Sequence, residues 1–214
     1  MPGPPTRRSV GRPPGPAVDP ATRRADLLDA AARVIRRRGA AASMEELAAE
    51  AGVTKPILYA HFGDRAGLAS ALAERFVDQV AEALTAAFLA AGGAPEPSLR
   101  YGLDAFVGFV EEDPNVYQFI VRESVNAASS GKAPSIARLR VFDALGALIT
   151  EALRFQFRQA GRDPAEAEPV AFATMGMVFG AAEWWVDRRT LTRTELVDLL
   201  GDLLWVGLRG RREP

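Results

Sequence analysis

The sequence contains no cysteine, a single histidine and only two lysines among its 214 residues. Without cysteine the chain can form no disulfide, thiolate metal site or thiol nucleophile, as is usual in a reducing compartment. Because His61 is the only histidine, the chain holds no His-based catalytic triad or multi-histidine metal site. GxxxxGK[ST] and GxGxxG phosphate-binding loops are also missing. These absences argue against an enzyme, and we expect no cofactor and no metal.

Long apolar runs are missing as well. The N-terminus is rich in Pro, Gly and Arg without an apolar run of signal-peptide length, and charged residues interrupt every later apolar stretch within the span of a bilayer. This pattern predicts a soluble cytoplasmic protein with no membrane partner. Residues 1–18 lack periodicity and are predicted to form a disordered basic arm.

The formal net charge of -1 lacks the basic excess that is typical of nucleic-acid-binding proteins. The total conceals an asymmetry, because residues 1–65 hold 11 basic and 7 acidic residues, whereas residues 66–214 hold 15 and 20. A basic front joined to an acidic remainder predicts two roles in one chain, one of them electrostatic.

From Asp19 onward the sequence has the pattern of an all-α protein with about nine helices. Apolar residues recur three and four positions apart, no segment alternates with period two, and helix-capping sequences separate the periodic segments. Asp19-Pro20 predicts the start of the first helix, which stops at Gly39. Capping boxes begin at Ser43 and Thr192, and Thr54 is predicted to cap the helix that starts at Lys55. The later helices are predicted near 55–61, 64–91, 98–112, after Pro114, at 135–160, from Asp163-Pro164, and to about Leu208, with a loop at 127–134.

Residues 43–61 have the spacing of a helix-turn-helix, in which two short helices meet at Gly52, where a positive φ is needed. If the second helix enters a major groove, Lys55 and Ile57 meet base edges, while Tyr59 and His61 reach phosphates. The alternative is an ordinary helical hairpin whose exposed residues are merely solvated. The side chains predicted to pack inward are Leu47, Ala48, Val53, Leu58 and Phe62.

The segment ASMEELAAEAGVTKPILYAHFGDRAGL resembles the DNA-binding signature of TetR-type (tetracycline-repressor-like) transcriptional regulators, over roughly residues 20–70. Beyond residue 70 the resemblance consists only of length and helical content. It implies a homodimer with an N-terminal three-helix DNA-binding domain, assigned to 19–65, and a ligand-binding and dimerisation domain, assigned to 66–214. It also implies a double-stranded DNA operator as partner.

Carried over by position, the resemblance implies several contacts with DNA. Ile57 and Gly67 depart from the small residue and the glutamate that the family usually has, which leaves the operator sequence open. Gly11-Arg12-Pro13 resembles an arm that enters the minor groove, although a solubilising tail is the alternative. The implied contacts are Lys55, Pro56 and Ile57 with bases, Ser43, Tyr59, His61 and Arg65 with the backbone, Thr54 at the helix start, and Arg12 in the minor groove.

Most aromatic side chains lie beyond residue 100. Apolar residues at helical spacing usually form a core, but the resemblance implies a cavity among the middle helices for a small, largely apolar effector. A carboxylate such as Glu183 in an apolar run would need an internal arginine or a cationic ligand group, unless it lies at an exposed rim. The candidate pocket residues are Phe106, Phe109, Tyr117, Phe142, Met175, Phe179 and Glu183.

The last two helices have features of a dimer interface. Two glycines four residues apart allow another helix to approach closely, and the final helix has a wide leucine-rich face. The resemblance implies a four-helix interface, and the two recognition helices of a dimer must reach major grooves about 34 Å apart. The predicted interface residues are Gly176, Gly180, Leu196, Leu199, Leu200 and Leu203.

Together these patterns predict a ligand-responsive transcriptional regulator, in the simplest case a repressor that binds a palindromic operator as a dimer and is released by its effector. The alternative is an all-helical adaptor that binds a small molecule or lipid without sequence-specific DNA binding. That alternative leaves Lys55, Tyr59 and Arg65 unexplained.

Overall fold

The computed structural model describes residues 19–129 and 136–209, and within these ranges every regular element is helical. This confirms the predicted all-α fold with about nine helices. None of the helices in this part of the chain is both long and apolar enough to cross a bilayer. The α-helices are α1 (Pro20–Arg38), α2 (Met44–Glu50), α3 (Lys55–Phe62), α4 (Arg65–Ala90), α5 (Pro95–Glu112), α6 (Pro114–Ser129), α7 (Ile136–Gln159), α8 (Ala167–Arg188) and α9 (Arg193–Arg209), with short 3-10 helices at Gly39–Ala41 and Pro164–Glu166.

The helix starts predicted from the capping residues Asp19, Ser43 and Thr192 are confirmed. The carboxylate of Asp19 accepts a hydrogen bond from the Thr22 amide at 3.2 Å, and α1 ends at Gly39, whose φ is +75°. Before α9, the Thr192 amide donates to the Glu195 carboxylate at 2.8 Å, and the Glu195 amide donates to the Thr192 hydroxyl at 3.3 Å. These local bonds satisfy backbone amides that have no partner inside the helix.

Three other boundaries differ from the prediction. α5 begins earlier, at Pro95, because proline is well tolerated in the first turn of a helix. α6 continues to Ser129, into the first part of the predicted loop, whose remainder lies outside the described residues. Asp163 caps a 3-10 helix that begins at Pro164, and α8 starts only at Ala167.

α4 lies at the centre of the packing. It contacts α5, α6 and α7, and its first half also contacts α1 and α3. α8 packs on α7, and α9 packs on α5. One continuous apolar core includes Leu58 of α3, Leu68 of α4, Phe119 of α6 and Trp185 of α8. Because this core is shared, the division into domains at residue 65 stays a prediction.

Candidate DNA-binding, effector and dimer sites

The turn between α2 and α3 holds the two helices in a fixed arrangement. Gly52 has a φ of +65°, which favours glycine, and its amide donates to the Ala49 carbonyl at 3.1 Å. The Val53 amide donates to the Ala48 carbonyl at 3.0 Å. The side chains predicted to pack inward do so: Leu47, Ala48, Leu58 and Phe62 are buried, and Val53 is half-buried against the same core.

The opposite face of α3 is open to solvent. Ile57 and Tyr59 are 36% and 39% exposed, although both side chains are large and largely apolar. Large apolar side chains on the exposed side of a short helix are available to contact a partner. DNA contact by this face stays a prediction. The other residues predicted on it are Lys55 and Pro56, both exposed, and His61, which is half-buried with its ring centroid 6.3 Å from that of Phe62.

Ser43 caps α2 through a reciprocal set of bonds with Glu46. The Ser43 hydroxyl accepts from the Glu46 amide at 3.2 Å and donates to the Glu46 carboxylate at 3.0 Å, while the Ser43 amide donates to the same carboxylate at 2.8 Å. The hydrogen bonds from the Ser43 amide and hydroxyl lower the pKa of Glu46. A phosphate contact by the hydroxyl would replace only its bond to the Glu46 carboxylate and would leave both bonds of the capping box in place. The structure therefore shows the capping role of Ser43, and its phosphate contact stays a prediction.

Thr54 and Lys55 lie where α3 begins. Thr54 has the extended backbone of an N-cap residue, but its hydroxyl makes no capping hydrogen bond, so the predicted side-chain cap is wrong. Lys55 Nζ lies 3.8 Å from the Glu45 carboxylate on α2. An exposed pair at this distance contributes little stability, so Lys55 can exchange Glu45 for another acceptor at small cost.

The turn between α3 and α4 explains the unusual Gly67. The Asp64 carboxylate accepts a hydrogen bond from the Gly67 amide at 2.8 Å and so caps α4. A Cβ atom at position 67 would overlap the carbonyl oxygen of Phe62 and lie 3.0 Å from its carbonyl carbon. Glycine is therefore required by the close approach of α3 to α4, and the departure from the family pattern has a packing cause.

The predicted DNA contact requires Arg65 to face outward, but its side chain faces the protein. Its guanidinium donates to the Glu123 carboxylate at 2.7 Å and to the carbonyl oxygens of Ala40 and Ala42, and its Cζ lies 4.6 Å from the Phe119 ring centroid. The side chains of Arg65 and Glu123 are only 27% and 13% exposed. The predicted DNA contact of the Arg65 side chain is therefore not supported. This arginine joins the segment before α2 to α6.

A second contact joins α1 to the start of α6. The Arg36 guanidinium binds both carboxylate oxygens of Asp113, one of them at 2.6 Å, and the Asn115 side-chain amide donates to the Arg36 carbonyl at 2.7 Å. The bond to Asp113 raises the pKa of Arg36. Helix patterns miss these contacts because the partners lie more than 70 residues apart in sequence.

Most basic side chains near the helix-turn-helix have an acidic partner within the protein. Arg37 and Arg33 bind Glu50 at 2.6 and 3.4 Å, and Arg38 lies 3.7 Å from Glu46. The bond from Arg37 lowers the pKa of Glu50. Residues 19–65 hold eight basic and seven acidic residues, so the described part of this region has little positive excess, and most of its cations are paired. Arg36, Lys55 and Arg65 are paired in the same way.

Arg23 and Arg24, at the start of α1, are different. Both are exposed, and among the described residues no carboxylate forms an ion pair with either. The Arg24 Cζ lies 5.2 Å from the Phe62 ring centroid, in a cation–π contact. Phe62 ends α3, so the guanidinium is held beside the exposed helix. Sequence patterns do not distinguish Arg24 from the paired arginines, because pairing depends on the tertiary fold.

A cavity of about 1630 Å³ lies among α4, α5, α7 and α8. Its walls are mostly apolar and include Phe106, Met175 and Phe179, three of the predicted pocket residues. It is larger than expected for a small effector, because pockets that bind drug-sized molecules measure roughly 300–1000 Å³. The second half of α4 and the end of α7 also line it, for example through Phe88 and Phe157.

Four predicted pocket residues do not line the cavity. Phe109 packs on Phe76, with ring centroids 4.4 Å apart. The ring centroid of Phe142 lies 5.7 Å from that of Phe179, and Tyr117 is buried in the same aromatic cluster. Glu183 is half-buried one turn beyond Phe179. The apolar stripe of a helix identifies residues that pack inward, but not the neighbours that they meet.

The predicted dimer interface is divided by the fold. Leu196 and Leu200 are 2% and 4% exposed within the single chain, because α9 turns them toward α5. Their assignment to the interface is therefore wrong. Leu199 and Leu203 are each 57% exposed on the outer side of α9.

α8 adds a second outer face. Gly176 and Gly180 are exposed, and a Cβ atom at either would meet nothing within 4 Å in the chain. Met177 and Trp184 lie exposed along the same stripe. Exposed apolar residues on two helices form the kind of surface that subunits bury on association.

Two remaining expectations concern a metal site and the contact of Arg12 with the minor groove. In the described ranges no three potential metal-ligating side chains cluster together. Arg12, predicted to enter the minor groove, lies outside the described residues.

Comparison with known families covers nearly the whole chain. Residues 27–72 match the family described as bacterial regulatory proteins, tetR family. Residues 68–213 match the family described as Tetracyclin repressor-like, C-terminal domain.

Individual relatives are similar over both regions. An uncharacterised HTH-type transcriptional regulator of Mycobacterium tuberculosis is 31% identical over 188 residues, covering 88% of this chain and 78% of the relative. The HTH-type transcriptional activator FasR of Mycolicibacterium smegmatis is 30% identical over 193 residues, covering 87% and 83%. Among solved structures, a TetR-like transcriptional regulator from Rhodococcus sp. RHA1 is 29% identical with a TM-score of 0.59, covering 91% of this chain and 100% of that one.

Proposed function

The chain belongs to the TetR family of transcriptional regulators, and from this premise we propose that it is a ligand-responsive repressor. It binds a palindromic operator as a dimer and is released when an effector occupies the body. The observation that carries this proposal is α3, whose inner face is fixed by the turn at Gly52 and whose outer face exposes Lys55, Ile57 and Tyr59. A rigid short helix with an exposed face can enter a major groove.

Two kinds of DNA contact follow from this surface. Lys55 and Ile57, in the first turn of α3, meet base edges, where a lysine suits guanine acceptors and an apolar side chain suits a thymine methyl. Tyr59 and His61 lie farther along and contact phosphates. Arg24 adds a phosphate contact from α1, because its guanidinium is exposed and held against the end of α3.

The dimer forms through the outer faces of α8 and α9. These faces combine exposed leucines at 199 and 203 with the open glycines at 176 and 180. A two-fold interface brings equivalent patches of both chains together and places two α3 helices against successive major grooves, about 34 Å apart.

Effector binding reaches the DNA-binding region through α6. Phe106 and Phe179 line the cavity, and their ring centroids each lie 6.5 Å from that of Tyr117 on α6. Glu123 of the same helix, and Asp113 immediately before it, bind the DNA-binding region. An effector that displaces the cavity wall therefore displaces α6 and its contacts. It shifts the balance between conformers only as far as it binds one of them more tightly.

Two alternatives predict different outcomes. An adaptor without sequence-specific DNA binding has no use for the exposed face of α3. An activator is favoured by one observation, the name of the relative FasR. Activation and repression use the same DNA-binding surface and differ in where the operator lies relative to the promoter.

Gel-shift and footprinting assays on DNA flanking the chain's own gene test the proposal. We expect submicromolar binding to a palindrome at moderate salt. Lys55→Ala should cost about 1–3 kcal/mol and relax base preference, whereas Tyr59→Phe should weaken all sequences alike. Arg158→Ala, an exposed basic site on α7, is the control that should bind normally. If no palindromic site binds, the proposal is wrong. Transcription in vitro from the bound promoter separates repression from activation.

A further inference from the structure

The cavity restricts the charge of the molecule that it can hold. We propose that the effector is a long-chain amphiphile whose polar end carries no negative charge and lies at the C-terminal end of α7. This inference rests on the proposed function of the cavity as the effector site, and it adds the chemical class of the ligand.

The size and the deep walls of the cavity favour a long apolar body. The volume of about 1630 Å³ exceeds that of pockets for drug-sized ligands. Leu103, Phe106, Leu145, Met175 and Phe179 line it and are buried in the core. An occupant that fills this part replaces contact with water by contact with hydrocarbon and aromatic surface.

The charged lining residues are confined to one end. Glu151 lies in the second half of α7, Arg162 and Asp163 lie in the turn after it, and Glu166 lies in the 3-10 helix that follows. Glu151 binds Arg154 at 2.5 Å and Glu166 lies 3.4 Å from Arg162, which leaves Asp163 as the lining carboxylate without an ion pair among the described residues. The final carbonyl groups of α7, which carry partial negative charge, lie at the same end.

The single guanidinium is already engaged. Arg162 Nη2 lies 3.4 Å from the Glu166 carboxylate, and its Cζ lies 3.8 Å from the Phe157 ring centroid. A ligand carboxylate that took Arg162 as its partner would displace Glu166 and leave that carboxylate against the new negative charge.

Three of the neutral donors on the wall are committed as well. The hydroxyl groups of Thr85 and Ser98 donate to carbonyls of their own helices at 2.8 and 2.7 Å. The Gln156 amide donates to the Gly93 carbonyl at 2.7 Å. Solvating an anion here would break these bonds, whereas a hydroxyl, an ester or an ammonium group requires no such exchange.

Four probes that share a dodecyl or dodecanoyl chain and differ in their polar group test the charge preference. Dodecanol, methyl dodecanoate, dodecyltrimethylammonium and dodecanoate are titrated calorimetrically into the purified full-length chain, each below its micelle concentration. We expect dodecanoate to bind at least about tenfold more weakly than the other three, a difference of about 1.4 kcal/mol. The trimethylammonium probe is the key comparison, because it is charged and yet expected to bind. If dodecanoate binds as tightly as the other probes, or more tightly, the inference is overturned.

Variants at the polar end make the test specific. Glu166→Gln removes one negative charge beside Arg162, so it should strengthen dodecanoate binding at least about threefold while leaving dodecanol unchanged. Glu168→Gln is the matched control, because Glu168 is exposed and does not line the cavity. Ala152→Trp, at an exposed position of the wall, should block every probe and so locate the binding. An equal gain for dodecanoate in both glutamine variants would contradict the inference.

Operator release is measured separately, so the two proposals can fail separately. If the probes bind with the expected order but do not release DNA, the charge inference stands and the effector role of the cavity is wrong. If no probe binds, both are wrong.

Discussion

Replacing Arg24 with alanine should reduce the salt dependence of operator binding by an amount that follows from the charge arrangement. Arg24 is exposed, lies beside α3 and has no ion-pair partner among the described residues, whereas Arg37 on the same helix binds Glu50 at 2.6 Å. A cation that is not already neutralised displaces counterions when it meets a phosphate. An arginine that keeps its glutamate partner does so much less.

The magnitude is set by the two copies in a dimer. Each phosphate contact contributes about -0.9 to the slope of log K against log salt, so loss of both Arg24 side chains makes the slope shallower by about 1.8. Between about 50 and 200 mM salt, the wild type should therefore lose roughly twelvefold more affinity than Arg24→Ala. Loss of the exposed contact with Phe62 costs about 0.5–1 kcal/mol of folding stability, which leaves the slope unaffected.

Fluorescence anisotropy with a labelled operator over a series of potassium chloride concentrations measures the slope directly. Arg37→Ala is the matched control and should keep the slope of the wild type. Arg24→Lys retains the charge without the planar stacking group and should keep most of it as well. The reasoning is refuted if Arg24→Ala keeps the wild-type slope, or if Arg37→Ala lowers it as much.

Three further substitutions test the fold and the interface. Leu203→Asp should give folded monomers that lose operator affinity, whereas Leu200→Asp should unfold the chain because the leucine side chain is buried. Light scattering measures the oligomeric state and circular dichroism measures the folding of each variant. A dimeric Leu203→Asp variant would contradict the proposed interface. Gly67→Ala should cost about 1–3 kcal/mol in chemical denaturation, because its Cβ overlaps a carbonyl of α3; unchanged stability would count against that overlap. Arg65→Met should lower the free energy of unfolding by roughly 2–3 kcal/mol, because it leaves Glu123 without its cation. It should also weaken the response of operator binding to the effector. An unchanged response would exclude the Arg65–Glu123 contact from the coupling.

Local chemistry made much of the fold predictable. The Asp19 cap, the capping boxes at Ser43 and Thr192 and the positive φ of Gly52 depend on residues within a few positions of one another. Sequence spacing therefore carries most of the information that they need. The same reason explains why the inward and outward sides of α3 were predictable from a short periodic segment.

The lining of the proposed effector cavity was predicted only in part. Phe106 and Phe179 line the cavity, but Phe109 and Phe142 pack against other aromatic rings. All four have the helical spacing of buried residues. Which of them borders a void depends on how several helices diverge, and that divergence is a property of their joint packing.

The sequence by itself determined the helices, most of their caps, the helix-turn-helix and the membership of the TetR family, because these depend on local spacing and local hydrogen bonds. Only the tertiary structure decided the partners of charged and apolar groups far apart in the chain. It turned Arg65 from a predicted DNA contact into a contact with Glu123, and it left Arg24 exposed beside α3. It also divided the leucines of α9, burying Leu200 and exposing Leu203. When a helix has a wide apolar face, only its packing against a neighbouring helix determines which of the apolar side chains are buried and which stay exposed.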